Sequence, residues 1–239
     1  MIEYVTIDQA AELDAFVLRQ PNCHFMQTSA WGRVKEGWGW TGILCRDEKG
    51  EIIGIVGESG CGKSTFLKLL LRFWQKGNGE IKFGGVDVDS INTDELLKNV
   101  TMVSQTTYLF DETIEDNLRI AKPDATQEEI EAACRMASVH EFILSLPDGY
   151  KTRVGALGDN LSAGEKQRIG LARAFLRGSE WILLDEPTSN VDSINEGIIL
   201  KALQEQKRKK SILLVSHRES TMAIADRIYR VKDGRMAEI

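Results

Sequence analysis

Gly57 to Thr65, GESGCGKST, fits the pattern G-x-x-x-x-G-K-[ST]. It follows an apolar run and opens a helical pattern, the setting in which such a loop cradles phosphate. Gly57, Gly60 and Gly62 let the backbone adopt unusual dihedrals. They would bring N–H groups of the loop, from Glu58 and Ser59 through Cys61 to Thr65, against phosphate oxygens. The helix N-terminus adds the positive end of its dipole. Lys63 would reach the β and γ phosphates, and the Ser64 hydroxyl would hold Mg²⁺. Cys61 reads as a small filler, because nothing near it in sequence would activate its thiol.

A second stretch, WILLDEPTSNVD from Trp181 to Asp192, is an apolar run ending in two carboxylates. In open α/β sheets the C-terminal edge of the strands is where ligands sit. Asp185 there can bind Mg²⁺ directly or through water, and Glu186 can accept a proton from an attacking water. The bland alternative is a surface strand end followed by a turn at Pro187. A third stretch, LSAGEKQR from Leu161 to Arg168, reads by itself as a well-capped helix start. Ser162 and Glu165 have the spacing of a capping box.

These residues need a scaffold. From about residue 51 short apolar runs alternate with helical patterns. EIIGIV, VTMVSQ, WILLDE and SILLVSH read as buried strands. KSTFLKLLLRFW, TQEEIEAACRMA, GEKQRIGLARAFLRG and INEGIILKALQEQKRKK read as helices. Such alternation predicts an α/β fold with a parallel sheet. Between residues 113 and 159 the pattern is helical and acidic, which predicts a helical subdomain inserted in that core. Lys207 to Lys210 reads as the solvated last turn of a helix, complementing its dipole. Residues 1–48 read differently, as a strand at EYVTI, helices at DQAAELDAFVLRQ and QTSAWGRVKEGWG, and two strands around DEKG. Trp31, Trp38 and Trp40 fall close together there.

Composition bounds the partners. The 239 residues are 42% hydrophobic and 28% charged, with a net charge of -6. A negative field argues against nucleic acid and anionic lipid as partners. No apolar run approaches the ~20 residues that span a bilayer, and no secretory signal opens the chain. Cys23, Cys45, Cys61 and Cys134 form no CxxC pair or metal-ligand cluster, so a reducing, cytoplasmic setting is the default.

The order of the motifs resembles the ATP-binding subunits of ABC transporters. GESGCGKST matches the Walker A loop, VSQ ending at Gln105 the Q-loop, LSAGEKQR the signature, ILLDE Walker B, SNVD ending at Asp192 the D-loop, and VSHR the switch histidine, His217. The resemblance covers about residue 50 onward. YLFDETIEDNL and TRVGALGDNLSAGE are similar to the exporter branch. The fold implied is a P-loop NTPase core with a parallel sheet, an inserted helical subdomain (about 113–162) and an atypical α+β N-terminal segment. On this reading 1–48 is that segment and 49–239 the ATPase domain.

The resemblance implies an Mg-dependent ATPase that binds ATP in a head-to-tail pair, as homo- or heterodimer, beneath a transmembrane partner at the inner face of the membrane. Ser162 and Gly164 of one subunit would meet the γ-phosphate held by the other, with Asp192 beside them. Gln105 would sense Mg²⁺ and link to the membrane partner. His217, as neutral imidazole, would hold the γ-phosphate and orient Glu186. The signature departs from the family at Ala163 and Glu165. The family's adenine-stacking aromatic has no match in residues 1–48. FMQTSAWGRVKEGWGW instead resembles the opening of a Fem-type aminoacyltransferase. An ATP-gated dimerisation switch of a non-transport ABC protein, a chimeric or truncated chain with impaired ATPase activity, and an acyltransferase are the alternatives.

Overall fold

The computed structural model describes residues 4–5, 42–43, 50–75, 81–83, 86–232 and 235–239. Strands run Tyr4–Val5 (β1), Gly42–Ile43 (β2), Ile52–Gly57 (β3), Lys82–Phe83 (β4), Val86–Asp87 (β5), Val100–Val103 (β6), Trp181–Asp185 (β7), Ser211–Val215 (β8), Arg227–Lys232 (β9) and Arg235–Glu238 (β10). Helices run Lys63–Leu70 (α1), Thr93–Asn99 (α2), Ile114–Arg119 (α3), Gln127–Met136 (α4), His140–Ser145 (α5), Ala163–Arg177 (α6), Ser193–Gln206 (α7) and Glu219–Met222 (α8). The chain forms two compact bodies, one of residues 49–56 and 98–228, the other of 1–48, 57–97 and 229–239.

The first body is built on parallel strands in the order β3-β8-β7-β6. In β7 and β8 nearly every residue is buried, including Ile182, Leu184, Ile212 and Leu214 at 0% exposure. A strand covered on both faces must be apolar throughout, which is why these runs show no alternation. Each such side chain contributes about 1.5–3 kcal/mol on burial. Gly50 leads into β3 at φ +99, and a Cβ there would lie 2.1 Å from the Arg208 Cα, so only glycine fits.

The helical insertion packs against α6. Ile114, Leu118, Ile130, Ala133, Ile143 and Ile169 are all at 0% exposure in one core. A capping box of Thr126 and Glu129 starts α4. Arg173 clamps the approach to α3: its guanidinium donates to Tyr108 O (2.6 Å), Asn117 O (2.7 Å) and Asn117 Oδ1 (2.7 Å). Burial pulls its pKa down to about 10.

Two expectations need correction here. The basic run is not the last turn of a helix, because α7 ends at Gln206. Lys207 pairs with Asp226, and Lys210 Nζ donates to Ser179 O at 2.6 Å, so both ends of the run hold tertiary structure. In the second body α1 stops at Leu70, short of the expected Trp74. Arg72 turns left-handed (φ 56), with Arg72 N bonded to Leu69 O and Phe73 N to Lys68 O, the Schellman pattern. The Arg72 guanidinium then ties this end to Ile91 O (2.9 Å) and Thr93 Oγ1 (2.6 Å).

β9 pairs antiparallel with β10, as β4 does with β5 and β1 with β2. β1 falls inside the expected strand EYVTI. The two expected N-terminal helices and Trp31, Trp38 and Trp40 lie outside the described residues.

Candidate functional site

The phosphate loop belongs to the second body. Its three glycines serve two purposes. Gly60 (φ +80) and Gly62 (φ +100) have left-handed backbones, and nothing lies within 4 Å of where a Cβ would stand. They are glycine for conformation, and they leave the loop interior open. Gly57 lacks the positive φ expected of it. A Cβ there would sit 2.6 Å from Val231 O and 2.7 Å from Cys61 Sγ, so close approach demands glycine. No side chain caps α1 at Gly62, so its first N–H groups face the loop. Lys63 is buried, and its Nζ donates to Gly57 O (2.8 Å) and Glu58 O (2.9 Å), with Cys61 Sγ at 3.8 Å. Glu58, Ser59 and Thr65 are exposed, while Cys61 and Ser64 are half-buried.

The acidic edge belongs to the first body. Asp185 ends β7 opposite Val215 and is buried. Glu186 follows with φ 51, a left-handed conformation rare for a residue with a side chain. Its N–H is held by Val215 O at 2.9 Å. His217 Nδ1 lies 2.9 Å from Glu186 Oε1 and 2.8 Å from Oε2. The ring nitrogen thus faces both carboxylate oxygens at nearly equal distance. Because an ionised carboxylate only accepts, Nδ1 must carry the proton.

Gln105 is exposed and joins this edge, donating through Nε2 to Ser189 Oγ at 3.2 Å. Ser189 Oγ in turn donates to Glu186 O at 3.1 Å. Asp185 and Gln105 on this edge carry oxygen donors, the donor type that suits Mg²⁺.

The signature turn is a complete capping box. Ser162 N donates to Glu165 Oε2 (2.7 Å), and Glu165 N to Ser162 Oγ (3.3 Å). Glu165 thus faces its own helix start. Ser162 and Ala163 are exposed, but Gly164 is buried. A Cβ on Gly164 would stand 2.4 Å from Asn195 Cγ. Asn195 is the pivot: its Oδ1 accepts from Arg168 at 2.7 Å and its Nδ2 donates to Asp192 Oδ2 at 2.6 Å. Asp192 caps α7 through Oδ1, accepting from Ile194 N and Asn195 N. The Asn195 backbone and side-chain donors, followed by Ile194 N, hold its pKa below the usual range despite some desolvation.

The first body thus gathers Gln105, Asp185, Glu186 and His217 along one edge, with Ser162, Gly164 and Asp192 at the starts of α6 and α7. The second body carries Gly57 through Thr65. Ser189, Asn195, Glu196 and Arg218 belong to these networks too and were missed from sequence. Their only signal was proximity in the chain to a carboxylate or histidine already singled out. Among the described residues no cluster of histidine, cysteine or acidic groups could hold a metal by itself, and no helix is long and apolar enough to cross a membrane.

Residues 44–189 match the sequence model of a family described as ABC transporter. A probable ABC transporter ATP-binding/permease protein of Haemophilus influenzae is 57% identical over 190 residues, covering 80% of this chain and 34% of that protein. A putative multidrug export ATP-binding/permease protein of Bacillus subtilis is 44% identical over 197 residues, covering 82% of this chain and 34% of its own length. Among solved structures, a bacterial Atm1-family ABC exporter with ATP bound superposes with a TM-score of 0.76 at 30% identity, over 97% of this chain and 44% of that one. The chain spans about a third of the length of these curated relatives.

Proposed function

The chain belongs to the ABC transporter family, and on that premise we propose that it binds and hydrolyses Mg-ATP in a head-to-tail pair and powers transport through a transmembrane partner. The observation that carries this reading is the Glu186–His217 pair, in a chain that also holds an intact phosphate loop.

The water oxygen bonds to the γ-phosphorus, the bond from that phosphorus to the bridging oxygen breaks, and ADP and inorganic phosphate leave. Glu186 takes the water proton on its carboxylate. His217 fixes the carboxylate through Nδ1 and meets the γ-phosphate from the other side of its ring. Lys63 exchanges its loop carbonyls for phosphate oxygens, a charge-assisted pairing. Ser64, Gln105 and Asp185 would hold Mg²⁺, which would supply charge neutralisation. The exposed Ser162 and the N-terminus of α6 meet the nucleotide of the second subunit, with Asp192 at the same interface.

Tyr108 (56% exposed) and Phe110 (49% exposed) form an edge-to-face pair with centroids 4.9 Å apart. Exposed aromatics just after Gln105 in the chain support a protein-facing surface there, and we assign it to the membrane partner. That partner holds the chain at the inner face of the membrane. We read 1–48 as a separate segment ahead of an ATPase domain from 49 to 239, within which nearly all of the family match over 44–189 falls.

Phosphate release from Mg-ATP by the full chain tests the reading. Glu186→Gln should lower kcat by about 10²–10⁴-fold and retain ATP binding, whereas Lys63→Ala should lose tight binding. Parent-like turnover in Glu186→Gln would refute the role given to the carboxylate.

A further inference from the structure

The first turn of α7 reaches in two directions from adjacent residues. Asn195 grips the signature turn through Arg168. Glu196 grips the segment after His217. Its buried carboxylate accepts from Arg218 (2.7 Å, Oε2), Ser220 Oγ (2.6 Å, Oε1) and Thr221 Oγ1 (3.2 Å, Oε1). Arg218 carries the contact onward, its second nitrogen donating to Ser189 O at 3.2 Å. Ser189 holds both Glu186 O and Gln105. Thr221 also meets Thr188 at 2.8 Å between hydroxyls.

His217 itself is 62% exposed in its side chain. Packing does little to place it, so its position depends on the backbone that carries it. The next residue in the chain is the arginine that Glu196 holds. Burial opposes ionisation of Glu196, but Ser220, the charge of Arg218 and Thr221 outweigh it, and its pKa stays below the usual range.

From these contacts we infer that Glu196 is a positioning residue for the proposed hydrolysis: through Arg218 it fixes the His217 backbone and thereby the Glu186 carboxylate. The inference rests on the ATPase reading above. The contacts that Glu196 makes are to Arg218, Ser220 and Thr221, outside the Glu186–His217 pair. Its removal loosens the pair without removing either member, so it acts on kcat and spares KM.

Two measurements test this. In the first, Glu196→Gln should lower kcat about tenfold or more with KM for ATP within about twofold. In a His217→Ala background the same change should cost less than about twofold, because the group it positions is gone. An equal loss in both backgrounds would overturn the inference, since a merely structural role would act alike in each. In the second, ring-carbon NMR at fixed pH follows the histidines, which number 3 in the chain. Glu196→Gln should shift the His217 signals and leave those of His140 in place. Unmoved His217 signals would overturn the inference whatever the turnover. A parent without ATP turnover would refute the ATPase reading, and the NMR result would still decide the positioning. If Glu196→Gln does not fold, Arg218→Lys keeps the charge but cannot span Glu196 and Ser189 together, and the same outcomes apply.

Discussion

Gly164→Ala tests whether α6 and α7 are held start to start. The new methyl carbon would stand 2.4 Å from Asn195 Cγ, 2.7 Å from Oδ1 and 2.8 Å from Cβ. None of these is the far end of a long side chain, so Asn195 must leave its place. That breaks its bonds to Arg168 (2.7 Å) and Asp192 (2.6 Å). Overpacking costs about 1–3 kcal/mol. A buried guanidinium stripped of a partner costs about 1–3 kcal/mol more, and Arg168 Nε already lacks one. Replacing glycine by alanine in a helix returns up to about 1 kcal/mol. The net expectation is a loss of about 1–6 kcal/mol, or about 0.3–2 M in urea midpoint at a slope near 3 kcal/mol/M. Asn195→Gly removes the obstruction, and in that background Gly164→Ala should be neutral or stabilising by up to about 1 kcal/mol. Urea unfolding of the four proteins reads both legs. An equal loss in both backgrounds would refute the contact as the cause. A Gly164→Asp carboxylate would likewise collide with Asn195 of its own subunit before it met any phosphate.

Gly50→Ala should destabilise the chain by about 3 kcal/mol in the same assay, because it combines a left-handed φ with a backbone collision at Arg208. Glu115 is held below the usual carboxylate range, chiefly by the hydrogen bond from Lys151 and, against desolvation, by Arg119 and the charges of both. A lowered folded-state pKa contributes stability above the unfolded value of 4.5 that is lost as pH falls through the folded value. Glu115→Gln should therefore flatten the fall in unfolding free energy on acidification below about pH 5, and an unchanged slope would remove Glu115 as a source. Burial pushes the Cys134 thiol up to about 11, so peptide mapping after brief alkylation at neutral pH should find Cys134 unmodified in the native chain and modified only after denaturation.

The strands of the parallel layer were legible because burial on both faces leaves no polar positions. WILLD and SILLV are apolar for that reason alone, and both expected spans lie within two residues of the observed ones. The end of α1 was not legible. KSTFLKLLLRFW keeps a helical pattern through Trp74, and no glycine or proline marks a stop. The stop comes from Arg72, whose guanidinium is worth more bonded to Ile91 O and Thr93 than as one more helical residue. Those partners lie some twenty positions away, beyond any local pattern. The end of α7 was misread for the same reason, since Lys207 and Lys210 answer to Asp226 and Ser179 rather than to their neighbours.

The site divides along the same line. A phosphate loop is a local object, with its glycines, lysine and hydroxyl within nine positions, so the string displays it. Even there the string assigned one reason to three glycines where the fold has two, because the close approach at Gly57 comes from Val231. Glu196 is the opposite case. An acid in the first turn of a helix is well explained by the dipole, and that explanation would be complete if the residue were exposed. Burial changes its meaning. A carboxylate at 9% exposure must be matched by donors, and they come from Arg218, Ser220 and Thr221, more than twenty positions on. What looks like an ornament of one helix is then a constraint on the segment that carries His217. The residues that react can be found by type and spacing. The residues that hold them in place become visible only when the fold shows which charges have been taken out of water.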